Sequence, residues 1–213
     1  MQVTTATQLC ASATQLGVTI DSVQDAQLLQ LLDELEHWNR AYNLTRIEGR
    51  AAMITHHLLD SLAASNDLHG ARIADLGSGA GFPGLPLAIM HAAREFTLID
   101  STAKKVHFIA HAARALGLGN VRSLHARAET MLPAVPFDTI VARAVAALPE
   151  LAVLARPLAA PGTRLIAFKG RRPDAELASL PDDWQLGGVR AVQIPGSKAQ
   201  RCLVTLVARG TRS

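Results

Sequence analysis

The chain has 213 residues, of which 49% are apolar, so it can close one or two hydrophobic cores and is not a disordered tail. Its formal net charge of +3 is too small to identify a partner, but the charge is unevenly distributed. Residues 1–70 carry three basic against eight acidic side chains, whereas residues 71–213 carry 18 basic, mostly arginine, against 10 acidic ones. An arginine-rich region suits phosphate binding, because the guanidinium presents a planar fork of donors. The alternative is a solvated surface that happens to be rich in arginine.

Cysteine use and hydropathy indicate the compartment. Cys10 and Cys202 stand far apart without a Cys-x-x-Cys pair, which argues against a disulfide framework or a zinc knuckle. The first 20 residues lack a basic start followed by an apolar stretch, and no window reaches ~18 uninterrupted apolar residues. We therefore expect a cytoplasmic protein with neither an export signal nor a membrane span.

The first third of the chain has the periodicity of helices. Between Ala26 and Tyr42 the large apolar residues fall on one helical face and the acidic residues on the other. Residues 51–68 repeat this pattern, and residues 3–16 have a weaker helical pattern, which predicts a helix that ends at Gly17. This predicts an acidic, all-helical segment at the start of the chain.

From Ala71 onward, short β-rich runs alternate with helical stretches. The predicted strands are 72–76, 96–100, 121–125, 137–142 and 164–169, and the predicted helices are 85–93, 104–116, 148–158 and 174–180. Such alternation is typical of a parallel, doubly wound sheet with helices on both faces. Two final runs, 186–194 and 202–209, predict a closing antiparallel hairpin. We expect an α/β domain over residues 71–213, with the helical segment of residues 1–70 packed on it.

The most informative motif is Asp75 to Gly81 (DLGSGAG), which follows a predicted strand and precedes a helix. Its glycines allow a tight turn and a close approach to a ligand at the carboxyl end of the strand, where doubly wound sheets bind nucleotides. A dinucleotide fold requires G-x-G-x-x-G, but position 82 is Phe. The pattern is therefore G-x-G-x-G led by an acid, which is similar to the first motif of class I methyltransferases. We take Gly77 and Gly79 as cofactor-binding residues.

The second and third predicted strands supply further candidates. Asp100 ends the second strand, where a carboxylate can accept hydrogen bonds from both ribose hydroxyls. Ala128 and Glu129 follow the third strand, in the order expected for contact with adenine. These residues support a nucleoside ligand without choosing between NAD and S-adenosylmethionine.

Several longer segments carry a resemblance to one bacterial family. They are Trp38-Asn39 with Asn43-Leu44-Thr45, HLLDSL at 57–62, DLGSGAGFPGLPL at 75–87, LIDSTAKK at 98–105, Ala142-Arg143-Ala144 and Lys169-Gly170. Together they resemble the glucose-inhibited division protein B family of 16S ribosomal RNA guanine-N7 methyltransferases, over nearly the whole chain. The run FPGLP is the most distinctive part, because generic methyltransferases do not need two prolines there.

The resemblance implies a class I methyltransferase (Rossmann-like) fold, S-adenosylmethionine as cofactor, and 16S rRNA or the small ribosomal subunit as partner. The cofactor contacts it implies fall on Gly77, Phe82, Ala128, Glu129 and Arg143, and Arg143 ends the fourth strand, where cofactor and base should meet. The chain departs from the family where Ala142 replaces a frequent Ser and where Thr102-Ala103 replaces a frequent Gly-containing pair. Neither change lies on an implied contact.

The remaining polar candidates include three residues that could hold a metal but also have a simpler, structural interpretation. His56, His57 and Asp60 could mimic a metal site, but they lack a second ligand cluster, so we expect no metal and a structural role that fixes the helical segment against the sheet. Candidate RNA-binding residues are Arg122, Arg127, Lys169, Arg171, Arg172 and Arg201. We further expect a monomer.

Two other classes of function stay open. A nicotinamide-dependent oxidoreductase is disfavoured by the misplaced third glycine and the missing Tyr-x-x-x-Lys motif. A non-catalytic ribosome-binding protein that keeps the nucleoside fold is disfavoured by the intact glycine loop and Asp100.

Overall fold

A computed structural model describes the backbone of residues 5–131 and 133–210 and the side chains from residue 8 onward. Within these ranges one seven-stranded sheet has the order β3-β2-β1-β4-β5-β7-β6. Its strands are β1 Arg72–Leu76, β2 Glu95–Asp100, β3 Val121–His125, β4 Phe137–Arg143, β5 Ala159–Lys169, β6 Trp184–Val192 and β7 Arg201–Ala208. Strands β1 to β5 are parallel, and β7 is antiparallel to both β5 and β6. The predicted doubly wound sheet with a closing hairpin is confirmed.

Seven helices accompany the sheet in the described residues. They are α1 Thr5–Gln15, α2 Ser22–Tyr42, α3 at 50–62, α4 Gly84–Met90, α5 Ala103–Ala115, α6 Leu148–Ala155 and α7 Asp174–Leu177. Helix α3 is α-helical over Arg50–Met53, continues through a π-helical turn at Ile54–Leu59, and ends with Asp60–Leu62. Single 3₁₀ turns lie at Ser65–Asp67, Ala128–Thr130 and Arg156–Leu158.

Several predicted helices differ from the structure at their ends. Those predicted at 85–93, 148–158 and 174–180 each end three residues earlier, at Met90, Ala155 and Leu177. Helix α2 begins four residues earlier than its apolar pattern indicates, because Asp21 and Gln24 form a capping box. The prediction of one helix over 51–68 is wrong in its second half, where the helix ends at Leu62 and only a 3₁₀ turn follows. The start predicted at residue 3 for the first helix lies outside the described residues.

The alternation of β1 places two apolar cores on the two faces of the sheet. Ile73 faces a cluster that contains Leu31 of α2 and Leu58 of α3, so the N-terminal helices complete this core. Ala74 faces the other cluster, with Leu148 of α6 and Trp184 of β6. Full burial of one leucine stabilises the fold by roughly 1.5–3 kcal/mol, so this packing fixes the N-terminal helices against the sheet. The residue 70 boundary itself stays a prediction.

The topology places the carboxyl ends of all five parallel strands at one edge of the sheet, and this edge carries the candidate site. Within the described residues, no helix combines the length and hydropathy that crossing a bilayer requires.

Candidate active site

The glycine loop after β1 turns on three residues with positive φ: Gly77 at 67°, Gly79 at 59° and Gly81 at 84°. The loop is tied to the end of β2, because the Gly79 N–H donates to Asp100 Oδ2 at 2.9 Å. A Cβ added to Gly77 would lie 2.7 Å from Val145 Cγ2. The backbone at Gly77 therefore lies against the loop after β4, whereas the close approach to a ligand inferred from the motif stays a prediction.

Asp75, the acid that leads this loop, is fully buried beneath it. Its Oδ2 accepts from the Gly84 N–H at 2.7 Å, whereas its Oδ1 has no hydrogen-bond partner among the described residues. Desolvation raises the pKa of this carboxyl to about 7, although the Gly84 hydrogen bond and Arg143 act in the opposite direction. Asp75 thus fixes the start of α4, and its carboxyl group, with a pKa of about 7, lies below the loop.

The first of two cavities at this edge is the β2 cavity, of about 150 Å³, at the ends of β1, β2 and β3. Gly77, Asp100, Ala128 and Glu129 all line it, and Val145 closes one side. Ala128 is buried, while Glu129 is exposed at the rim. Four residues that the sequence predicts as cofactor contacts are therefore brought together here.

The second cavity, the β4 cavity, has a volume of about 560 Å³ and lies beyond the ends of β4 and β5. Its charged lining consists of Asp60, Arg143, Lys169 and Arg201, and His56 also belongs to the lining. Val145 lines both cavities, so the loop after β4 separates them.

Arg143 ends β4 and is held on several sides. Its Nη1 donates to the backbone carbonyl of His56 at 2.9 Å and to Asp60 Oδ2 at 3.1 Å. Its guanidinium carbon lies 5.8 Å from the centre of the Phe82 ring, within the range of a cation–π contact. The next residue, Ala144, adopts φ of 57°, which a non-glycine residue rarely does and which turns the chain away from the strand direction.

His57 and Phe82 form the support beneath Arg143. Their rings stack with centres 4.5 Å apart, and both side chains are buried. Burial and the neighbouring Arg143 charge lower the pKa of His57 to about 3, so the ring is neutral. Arg143 can only donate, so His57 Nδ1 is the acceptor at 3.5 Å from Nη2, and Nε2–H donates to Thr45 Oγ1 at 3.0 Å. Phe82 thus faces Arg143 and His57 and does not line the β2 cavity; its contact with the cofactor stays a prediction.

The predicted RNA-binding residues occupy different environments. Lys169 is 15% exposed and donates to Glu176 Oε2 at 2.7 Å and to the Ala146 carbonyl at 3.0 Å. Arg201 pairs with Asp60 Oδ1 at 2.7 Å. These two side chains therefore have internal partners as well as a place in the cavity lining.

The other four predicted RNA-binding arginines are exposed. Arg172 pairs with Asp174, whereas no ion pair to Arg122, Arg127 or Arg171 is found among the residues that the structure describes. Arg127 lines the β2 cavity, but Arg122 is the second residue of the edge strand β3 and lines neither cavity. The structure therefore does not bring Arg122 together with the rest.

Sequence reasoning missed the two residues that connect the site. The sequence predicts only that Asp60 fixes the helical segment against the sheet. It does contact the end of the sheet through Arg143, but it also pairs with Arg201. Val145 has no reactive or charged side chain that would mark it in the sequence, although its place two residues after the fourth strand could have identified it.

In the described part of the chain, no group of three or more His, Cys, Asp or Glu side chains is arranged to hold a metal ion.

The strand order, the glycine loop after β1 and the carboxylate at the end of β2 define the fold of class I S-adenosylmethionine-dependent methyltransferases. A solved SAM-dependent methyltransferase from Aquifex aeolicus superposes with a TM-score of 0.56 at 19% identity, covering 78% of this chain and 97% of that one. Residues 24–204 match the family model GidB, described as rRNA small subunit methyltransferase G.

Relatives named ribosomal RNA small subunit methyltransferase G match over almost their full length. The protein of Nitrosococcus oceani is 45% identical, covering 91% of each chain, and that of Pseudomonas syringae pv. syringae is 40% identical, covering 94% of each chain. The chain belongs to the rRNA small subunit methyltransferase G family. This confirms the prediction of an S-adenosylmethionine-dependent rRNA methyltransferase and favours it over the oxidoreductase and the non-catalytic binder.

Proposed function

We propose that the protein transfers a methyl group from S-adenosylmethionine to N7 of a guanine in 16S ribosomal RNA. The observation that carries this proposal is the β4 cavity, which adjoins the glycine loop at Val145 and contains no uncompensated carboxylate. Asp60 engages two arginines, and the neighbouring His57 is neutral with both ring nitrogens in contact. A carboxylate held by two arginines is a poor general base, which suits a nucleophile that needs no proton removed. N7 of guanine already has a free lone pair.

We assign the nucleoside part of the cofactor to the β2 cavity. Asp100 offers carboxylate oxygens at its wall for the ribose, and Ala128 and Glu129 lie where the adenine would reach. We assign the methionine part to the backbone of the glycine loop. Gly77 lines the cavity, and the space beside the Gly79 Cα is open, with nothing within 4 Å of a Cβ placed there. When bound, S-adenosylmethionine supplies an electrophilic methyl group on a sulfonium. The protein's part is to direct that methyl toward the β4 cavity.

Arg143 is the residue we assign to the reacting centre. A donor placed on N7 would occupy the lone pair that attacks, so any contact from Arg143 to the base should be with O6, the other acceptor on that edge. Nη1 is already used by His56 and Asp60, and one N–H of Nη2 faces His57, which leaves Nε–H and the second N–H of Nη2 to meet the base or the cofactor. Because the chemistry needs no base, catalysis consists mainly of alignment.

We assign RNA phosphates to a groove of about 550 Å³ on the closing hairpin, the hairpin groove, which includes Arg171, Arg172, Gln200 and Arg201. Arg201 also lines the β4 cavity, so the groove leads directly to the reacting centre. Arg127 extends the positive surface at the β2 cavity. Lys169 contributes less to phosphate binding, because Glu176 compensates its charge. A splayed guanine can then enter the β4 cavity while phosphates fix the strand.

We further propose that the substrate is 16S rRNA or the small subunit that contains it, and that the protein acts in the cytoplasm as a monomer without a metal. The arginine-rich region of residues 71–213 supports an RNA partner. Sedimentation of the purified protein with and without RNA tests the oligomeric state, and unchanged transfer after chelation tests the metal.

The direct test of the reaction is transfer of a tritiated methyl group to RNA from cells that lack this protein. Digestion to nucleosides should place the label in 7-methylguanosine of 16S rRNA. RNA from cells that contain the protein is the matched control and should accept almost no label, because its site is already methylated. Label in any other nucleoside would contradict the proposal.

A further inference from the structure

We infer that Asp60 is a positioning residue for methyl transfer, which holds Arg143 and Arg201 as a pair facing the target nucleotide. The inference rests on the proposed function and names a residue that acts through these two arginines. Asp60 belongs to the N-terminal helical segment, so this segment becomes part of the active site and not only a cover for one face of the sheet.

The geometry assigns one carboxylate oxygen to each arginine. Oδ2 accepts from Arg143 Nη1 at 3.1 Å, and Oδ1 accepts from Arg201 Nε at 2.7 Å. All three residues line the β4 cavity, but the Asp60 side chain is only 5% exposed, whereas those of Arg143 and Arg201 are 18% and 31% exposed. Each guanidinium is therefore held at one edge, and each keeps N–H donors that can meet acceptors of the nucleotide, such as O6 or a phosphate oxygen.

The π-helical turn of α3 explains how one helix supplies two acceptors to Arg143. The Asp60 backbone N–H donates to the carbonyls of Thr55 and His57. In a regular α-helix it would donate to the carbonyl of His56, four residues earlier. Here the His56 carbonyl accepts instead from Arg143 Nη1, at 2.9 Å. The extra residue in the turn thus places a backbone oxygen and the Asp60 carboxylate around the same nitrogen, as π-turns often do at functional sites.

The charge balance also requires Asp60. Two guanidinium groups facing one cavity repel each other, and a buried carboxylate between them compensates one of the two charges. The pair keeps a net positive charge, which attracts RNA. Without Asp60 the two arginines would move apart. A displacement of about 1 Å at a reacting centre can lower the rate on the order of 10²-fold.

The chain contains a matched control. Asp67, on the same N-terminal segment, pairs with Arg190 of β6, so it also ties the segment to the closing hairpin. Neither Asp67 nor Arg190 lines the β2 or the β4 cavity. Loss of the Asp67 pair should reproduce any general loosening of the segment without disturbing the two arginines.

The experiment compares Asp60→Asn and Asp67→Asn in the full-length protein. It measures the single-turnover rate of total methyl transfer to unmodified 16S rRNA, the S-adenosylmethionine dissociation constant and the melting temperature. For Asp60→Asn we expect the rate to fall about 10²-fold while cofactor affinity changes less than threefold. For Asp67→Asn we expect both values to stay within threefold of wild type.

A loss of rate below tenfold in Asp60→Asn, or a parallel loss of cofactor affinity, would overturn the proposal and leave Asp60 a structural residue. If Asp60→Asn does not fold, Asp60→Glu decides by the same tenfold threshold, because it keeps the charge but moves the carboxylate by one methylene. The rate ratio uses total label, whereas the proposed function depends on which nucleoside carries it. The two ideas can therefore fail separately.

Discussion

The two cavities at the carboxyl edge of the sheet are built in different ways. The β2 cavity is formed mainly by the ends of β1, β2 and β3 and the short stretches directly after them, including Gly77 of the glycine loop, and Val145 and Leu154 complete its lining. The β4 cavity is formed by side chains from α3, β4, β5 and β7, which are as far apart in sequence as Asp60 and Arg201. The first is a local feature of the chain, and the second exists only when the N-terminal segment is packed on the sheet.

This difference separates two tasks. A nucleoside cofactor of constant structure can be bound by a loop whose conformation is fixed by glycine and one carboxylate. Alignment of an RNA base requires charged groups held against one another, as Arg143, Asp60 and Arg201 are. Substitutions in the β2 cavity should therefore change cofactor affinity, and substitutions in the β4 cavity should change the rate of transfer.

The largest effect that distinguishes the cavities is expected from Arg143→Ala. Loss of a charged donor at a reacting centre costs on the order of 10²- to 10³-fold in rate. We expect the single-turnover rate to fall by about that factor, while RNA affinity falls less than it does in the double variant Arg171→Ala, Arg172→Ala. Rapid-quench kinetics and filter binding on the same preparations measure both. A fully active Arg143→Ala enzyme would remove this residue from the site.

The stability of the fold should change with pH in opposite directions for a group below the glycine loop and for a group beside Arg143. The pKa of Asp75, below the glycine loop, is raised to about 7, so the stability its neutral form contributes is lost as the pH rises from about 4 to 7. The pKa of His57, beside Arg143, is lowered to about 3, so stability is lost as the pH falls below 6.5, where the unfolded chain binds a proton that the folded protein does not.

Each group should contribute a slope of about 1.4 kcal/mol per pH unit inside its window, or about 3 kcal/mol over two units. Urea titrations at several pH values measure it. The stability of Asp75→Asn relative to wild type should increase from pH 4 to 7, and that of His57→Gln should increase as the pH falls from 6.5 toward 4. Parallel curves for variant and wild type would show that the group ionises as in the unfolded chain.

Gly77→Ala tests the glycine loop itself. Gly77 and Gly117 have nearly the same φ, 67° and 68°, but a Cβ at Gly77 meets Val145, whereas one at Gly117 meets nothing within 4 Å. Both variants should lose about 1–2 kcal/mol of stability from the left-handed conformation. Calorimetry should show roughly tenfold weaker binding of S-adenosylmethionine only for Gly77→Ala. Equal affinity of the two variants for S-adenosylmethionine would show that this loop does not bind the cofactor.

The smallest effect concerns the hairpin groove. Arg171→Ala with Arg172→Ala should weaken RNA binding by about fivefold at moderate salt and reduce the salt slope by about one to two, since each phosphate contact releases a counterion. Cofactor binding should hardly depend on salt. The matched control is Arg122→Ala on the edge strand β3, since Arg122 lines neither cavity. If it changes the slope as much as the double variant, the RNA path runs elsewhere.

The β2 cavity could be predicted from the sequence because its residues follow their strands directly. The register of β1 and β2 then brings the glycine loop and Asp100 together without further information. Apolar spacing alone does not indicate the start of α2, which the capping box of Asp21 and Gln24 sets.

The β4 cavity could not be predicted in the same way. Apolar spacing over residues 51–68 does not distinguish an α-helix from one with a π-turn, and that turn decides where Asp60 and the His56 carbonyl point. The partners of Lys169 and Arg201 are likewise set by tertiary packing. The sequence therefore predicts RNA binding for both, as it does for the exposed Arg171.

The most direct test of the central claim uses an altered substrate. 16S rRNA transcribed with 7-deazaguanosine has a carbon in place of N7 and keeps its phosphates, O6 and base shape. We predict that this RNA binds with an affinity close to that of the ordinary transcript but receives no methyl group, whereas the ordinary transcript is methylated. Methyl transfer to the 7-deaza transcript at the ordinary rate would contradict the account.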